Sequence, residues 1–228
     1  MDPAGPPGAP GSITMIWRIL IFLWIATTMV VALLGAPLVP VLQETTRVLY
    51  FHIPSAWVTV LALGWSMVNS VLYLIRRDMR NDDHAAAAAE LGLVFCIVAT
   101  VTGSIWAKSM WGSWWNWDPR ETSIFFVLLI YGAYLALRAS IEGEEKRARL
   151  SAVYSIVAFV AVPPLMFIVP RIYSTLHPDP IINSSGKIDM DPMIRWCFFS
   201  MLLGFTFLFT WLQSLRVRVS RLERRLAV

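Results

Sequence analysis

The sequence predicts an all-α integral membrane protein, a six-transmembrane-helix bundle with both termini cytoplasmic. Three observations predict it. The 228 residues are 57% hydrophobic and only 15% charged, with a mean hydropathy of +0.61, whereas an average soluble domain is about 25% charged. Stretches 19–43, 48–75, 91–107, 122–137, 150–170 and 196–215 contain no Asp, Glu, Lys or Arg, and about 17–25 mostly apolar residues let a helix cross a bilayer. Lys and Arg also alternate in density from one connection to the next, as the positive-inside rule requires. A soluble enzyme, a nucleic-acid binder and a secreted disulfide scaffold are excluded.

Residues 1–15 open with MDPAGPPGAPG, a Pro/Gly-rich extension expected to be disordered. The apolar run that follows continues past Ala36, so an uncleaved first span is expected rather than a short signal-peptide core. The membrane domain is placed at 16–215, with spans near 16–40, 53–75, 86–107, 121–138, 150–171 and 193–214. The alanine run 85–89 favours helix and lengthens the third span beyond its charge-free core, leaving Glu90 near the membrane surface. Pro163 and Pro164 predict a kink in the fifth. Residues 216–228 form a basic cytoplasmic tail, for which anionic lipid is the default partner.

Orientation follows from the 19 basic residues. Thirteen fall on the side of the N-terminus, the 76–85 and 138–149 loops and the tail. Six, Arg47, Lys108, Arg120, Arg171, Lys187 and Arg195, fall on the other. The richer side is assigned to the cytoplasm. Loops 41–52, 108–120 and 172–192 then face outward, into the periplasm of a bacterium. Cys96 and Cys197 lie inside apolar stretches, form no C-x-x-C, and read as inert packing.

Tryptophan is the informative residue on the outer face. Trp106, Trp111, Trp114, Trp115 and Trp117 fall within the segment 106–117. An interfacial aromatic belt accounts for Trp17, Trp57, Trp196 and Trp211. WGSWWNWD is denser than a belt needs and also reads as a flat stacking surface for a large planar, amphipathic ligand. Asp118, Pro119 and Glu121 have the spacing of a helix N-cap, N1 and N3.

The histidines number three. His52 and His177 lie in the first and third outer loops, with the Trp segment between them; His84 starts the third span on the inner side and reads as structural. A lone loop histidine is ordinarily structural, but two on one face with an aromatic surface between them suit the two axial positions of haem iron. Pro54 and Pro178 would stiffen the backbone beside each. Lys108, Arg120 and Arg171 are candidates for haem propionates, or for lipid headgroups.

The run Trp111-Gly112-Ser113-Trp114-Trp115-Asn116-Trp117-Asp118-Pro119-Arg120-Glu121-Thr122 resembles the "WWD" motif W-G-x-W-W-x-W-D-x-R-x-T of haem-handling membrane proteins. With six spans and one histidine in each flanking outer loop, the chain resembles the haem exporter protein C (CcmC) family of cytochrome c maturation, except in its Pro/Gly-rich N-terminus. That resemblance implies a multi-pass protein of the bacterial inner membrane that holds haem b on its periplasmic side. His52 and His177 would be the axial ligands, and Trp111, Trp114, Trp115, Trp117, Asp118 and Arg120 would complete the site. It implies delivery of haem to the membrane-anchored chaperone CcmE, beside the ATP-binding-cassette pair CcmA and CcmB and the single-span CcmD. Presentation rather than enzymatic turnover is expected, since no nucleophile–base pair stands out. A haem lyase of the same motif group carries further histidines within its spans, and a b-type cytochrome subunit pairs histidines there; neither pattern occurs here. Ionisable residues along a transport pathway are also scarce.

Overall fold

The computed structural model describes residues 12–40, 42–177, 188 and 190–226. It is helical: α1 (Ser12–Leu34), a 3₁₀ turn (Gln43–Val48), α2 (Leu49–Arg76), α3 (Met79–Trp111), α4 (Pro119–Ser140), α5 (Glu144–Pro163), a π turn (Pro164–Ile168), α6 (Val169–Ile172) and α7 (Pro192–Leu226). Six helical segments are long and apolar enough to cross a membrane. Pro178, Lys187 and the Pro/Gly-rich segment 1–11 lie outside the described residues.

The expected spans are present, with ends set by local chemistry. Asp78 caps α3 by accepting from the Arg80 N–H at 2.9 Å. Arg77, in the left-handed region at φ 55°, ends α2. The prolines of the fifth span mark a change of helix type: neither can donate to the carbonyl four residues back, and the chain passes from α-helix to a π turn at Pro164. α7 has 35 residues, about 52 Å of helix against a hydrocarbon core of about 30 Å. It therefore continues well beyond the membrane and through the basic tail.

Lipid tails are as apolar as leucine, so helices in a bilayer associate by close packing and polar contacts rather than by the hydrophobic effect. α2 is the hub, packed on α3, α5 and α7. Ala85, Ala86, Ala87, Ala88 and Ala89 are all buried, and Gly92 sits directly against Leu63 of α2. Ser66 of α2 donates to the Ala85 carbonyl at 2.8 Å and meets the Ser155 hydroxyl of α5 at 3.0 Å. Leu63, Cys96, Val127, Tyr131 and Val162 form one core across α2–α5; Ala32, Tyr50, Cys197, Phe198 and Met201 join α1, α2 and α7 in another.

At the end of the bundle carrying both termini, carboxylates of α3 staple its neighbours. Asp82 receives Arg138 of α4 in a bidentate pair at 2.8 and 2.6 Å. Asp83 pairs with Arg224, and with Arg221 at 3.5 Å, both of α7. Glu90 binds Arg216 at 2.5 and 3.2 Å. Three arginines of the basic tail are thus engaged within the protein, where the sequence alone favours lipid.

Candidate functional site

The site lies at the opposite end, where α3 gives way to α4. Gly112, at φ 78°, closes α3, and its carbonyl accepts from Lys108 Nζ at 2.7 Å. The next residues are held by polar contacts of their own. Ser113 Oγ donates to the Trp115 carbonyl at 2.9 Å, and Glu121 Oε2 accepts from the Asn116 and Asp118 N–H groups at 2.7 and 3.2 Å. Trp117 takes the left-handed conformation at φ 57°, its carbonyl accepting from Thr122 Oγ1 at 3.1 Å. Asp118 and Glu121 make the expected capping box, with Pro119 at the first helical position.

Asp118 does more than cap. Its Oδ1 receives the Arg120 N–H at 2.9 Å. Its Oδ2 receives Thr175 Oγ1 at 2.8 Å and the Leu176 N–H at 2.7 Å. His177 Nδ1 lies 2.8 Å from Oδ1. Burial alone would raise the Asp118 pKa, but these donors outweigh it and hold the carboxyl below its ordinary range. Burial is also the largest influence on His177, and with the Arg120 charge and His52 it outweighs Asp118, pushing the imidazole down to about 4. At neutral pH the ring is therefore uncharged. A carboxylate can only accept, so Nδ1 carries the proton and Nε2 keeps its lone pair.

His52 reaches the same arrangement from another element. It sits inside the first turns of α2 rather than in a loop before it. Pro54 interrupts only one helical hydrogen bond there, and the preceding 3₁₀ turn already leads the chain into the helix. His52 Nδ1 is 3.1 Å from Thr102 Oγ1 on α3. The Thr102 hydroxyl gives its one proton to the Val98 carbonyl at 2.8 Å, so it accepts from Nδ1–H, and the ring also meets the Ala99 backbone. Gly103 makes the room, because a Cβ there would stand 2.8 Å from His52 Cε1. The Arg120 guanidinium is within electrostatic reach of both imidazoles.

The tryptophans divide into two groups. Trp106 and Trp111 meet edge to face at 4.9 Å and enclose His177 at ring distances of 5.6 and 4.9 Å. Trp115, Trp117 and Phe125 form a second edge-to-face chain at 5.8 Å spacings. With Trp115 and Trp117 inclined at 88°, the segment is ridged rather than the flat surface the sequence suggests. Trp114 and Trp117 are nevertheless 58% and 65% exposed, which leaves apolar faces open to a ligand. Of the other expected cations, Lys108 caps α3, and Arg171 Nη1 donates to the Phe167 carbonyl at 2.6 Å. His84 lies in the opening turns of α3, at the other end of the bundle, where its carbonyl accepts from Gln213 Nε2 at 2.9 Å.

Sequence reasoning did not single out Thr102, Gly103 or Thr175. The isolated glycine within a long apolar helix was the available signal of close approach.

Residues 9–228 match the family described as Heme exporter protein C. The chain belongs to that family. It is 32% identical to the Heme exporter protein C of Bradyrhizobium diazoefficiens over 79% of this chain and 68% of that one. It is also 32% identical to that of Paracoccus denitrificans, over 80% and 76%. Identity to the Rhodobacter capsulatus protein is 33%, over 89% and 87%. As a Heme exporter protein C family member with six membrane-spanning helices, the chain is a multi-pass protein of the bacterial inner membrane. It is a haem-handling component of cytochrome c maturation, acting with other proteins of that system.

Proposed function

We propose that this protein binds haem b on the periplasmic face through His52 and His177 and delivers it to the chaperone CcmE, alongside CcmA, CcmB and CcmD. The carrying observation is the matched pair of imidazoles: each has Nδ1 engaged, by Thr102 or by Asp118, and Nε2 with no side-chain partner among the described residues. A partner on the far nitrogen fixes the tautomer and ring orientation of a metal-ligating histidine. The residues present suit haem. Nε2 lone pairs suit the iron, the open faces of Trp114 and Trp117, with Trp111 packed against His177, suit the macrocycle, and Arg120 supplies positive charge for a propionate. Haem bound here would supply its iron as the ligand acceptor and an exposed edge for transfer. The protein's own work is to keep two neutral imidazoles aimed and to hold the Trp segment on α4.

Optical spectra and haem quantification on detergent-purified protein test this reading. Wild type should show a six-coordinate haem; His52→Ala or His177→Ala should weaken or alter it, and His84→Ala should leave it intact. A wild type that stays colourless when haem is supplied, or a spectrum altered only by His84→Ala, would overturn it.

A further inference from the structure

We propose that the bundle carries an anionic-phospholipid site at its other end, in a groove of about 500 Å³ between the α2–α3 connection and the start of α5. Tyr73, Arg77, Met79, Glu145, Lys146 and Arg149 line it. Five arginines at this end are neutralised within the protein. Arg138, Arg147, Arg216, Arg221 and Arg224 each pair with a carboxylate of the protein. Arg77, Lys146 and Arg149 border the groove and make no ion pair among the described residues. Glu145 is the acidic lining residue, its backbone carbonyl 3.4 Å from the Tyr73 hydroxyl. Three cations against one carboxylate leave the groove positive.

The groove's position commits it to a lipid. Arg77 ends α2, and Lys146 and Arg149 lie in the opening turns of α5, at the level where helices leave the hydrocarbon. Positions 146, 149, 150, 153, 157 and 160 share one face of α5, by the three- and four-residue spacing of helical neighbours. Below the two cations that face carries Leu150, Val153, Val157 and Val160, exposed at 39%, 48%, 67% and 71%. A cationic cup above an exposed aliphatic stripe matches a glycerophosphate above its acyl chain. Basic pockets between transmembrane helices are established binding places for anionic headgroups.

The test uses full-length protein in neutral detergent, titrated with phosphatidylglycerol or phosphatidylcholine and read by native mass spectrometry. Phosphatidylglycerol should bind at least about tenfold tighter than phosphatidylcholine, because each surface cation adds attraction for an anionic lipid. R77Q/K146Q/R149Q should remove that preference. R80Q/R218Q/R225Q, with the same loss of charge at the same end, should keep it to within about twofold. Melting curves for both variants establish that they are folded, and the single variant R149Q should give an intermediate loss. Equal binding of the two lipids by wild type would overturn the proposal, as would equal loss in both triple variants. Full displacement by millimolar inorganic phosphate would show a free-anion site and overturn the lipid assignment.

Discussion

Gly103 shows how little space the first imidazole has. A methyl group there would stand 2.8 Å from His52 Cε1, closer than real Cβ atoms come to a neighbour. The ring must then turn and give up Thr102. We expect Gly103→Ala to destabilise the fold by about 1–3 kcal/mol, the usual cost of overpacking, and to lower bound haem far more than an equally destabilising substitution away from His52. Haem per protein at matched melting temperature separates the two effects. The second imidazole makes a prediction in pH. His177 titrates near 4 in the folded protein and near 6.5 when unfolded. Between those values the unfolded chain binds the extra proton, so stability rises with pH across that window and is lost as pH falls through it. The amplitude is on the order of 3 kcal/mol at most. Melting temperature should drop from pH 6.5 towards 4, and His177→Ala should flatten the drop. Haem retention should stay level from about pH 5 to 8, where an ordinary histidine would already be protonating.

At the scale of helices, close approach rather than apolar area holds α2 on α3. Gly92 lies where an added Cβ would come within 2.6 Å of Leu63 Cδ2, and Leu63 is wholly buried. Gly92→Ala should lower the melting temperature, with a cost of about 1–3 kcal/mol, and Leu63→Val should restore part of it by withdrawing the clashing methyl. Additive losses in the double variant would refute that contact. The spans were legible because charge is excluded from the bilayer, and the α4 start because Asp, Pro and Glu occur at cap spacing. The helix around His52 was not legible: the expected span begins at residue 53, whereas α2 already begins at Leu49. Nor was the seat of either histidine: Thr102 is 50 residues from His52, and Asp118 is 59 from His177, so both contacts exist only once the helices have packed. The ridged Trp segment also escaped composition, which counts rings but does not orient them.

Across the whole molecule, polar work is divided between the two ends. One end aims two imidazoles; the other locks the helices together with carboxylates of α3. Asp83 is a buried part of that lock, its side chain 3% exposed and faced by Arg221 and Arg224. Both arginines come from the segment that composition assigns to lipid. Truncation after Ser220 removes them while leaving Arg216 on Glu90. Breaking a buried pair from one side costs roughly 3–5 kcal/mol, and the arginines' partial exposure places this case at the lower end. The loss should appear as a fall in melting temperature in detergent, where no anionic lipid is present. Asp83→Asn should recover much of it in the truncated chain, because the uncompensated charge is gone, yet should destabilise the full-length chain by removing the carboxylate that Arg221 and Arg224 share, even though Arg224 keeps Glu144 at 3.2 Å. A tail that serves only to hold lipid would give neither the loss in detergent nor the opposite signs of Asp83→Asn in the two backgrounds.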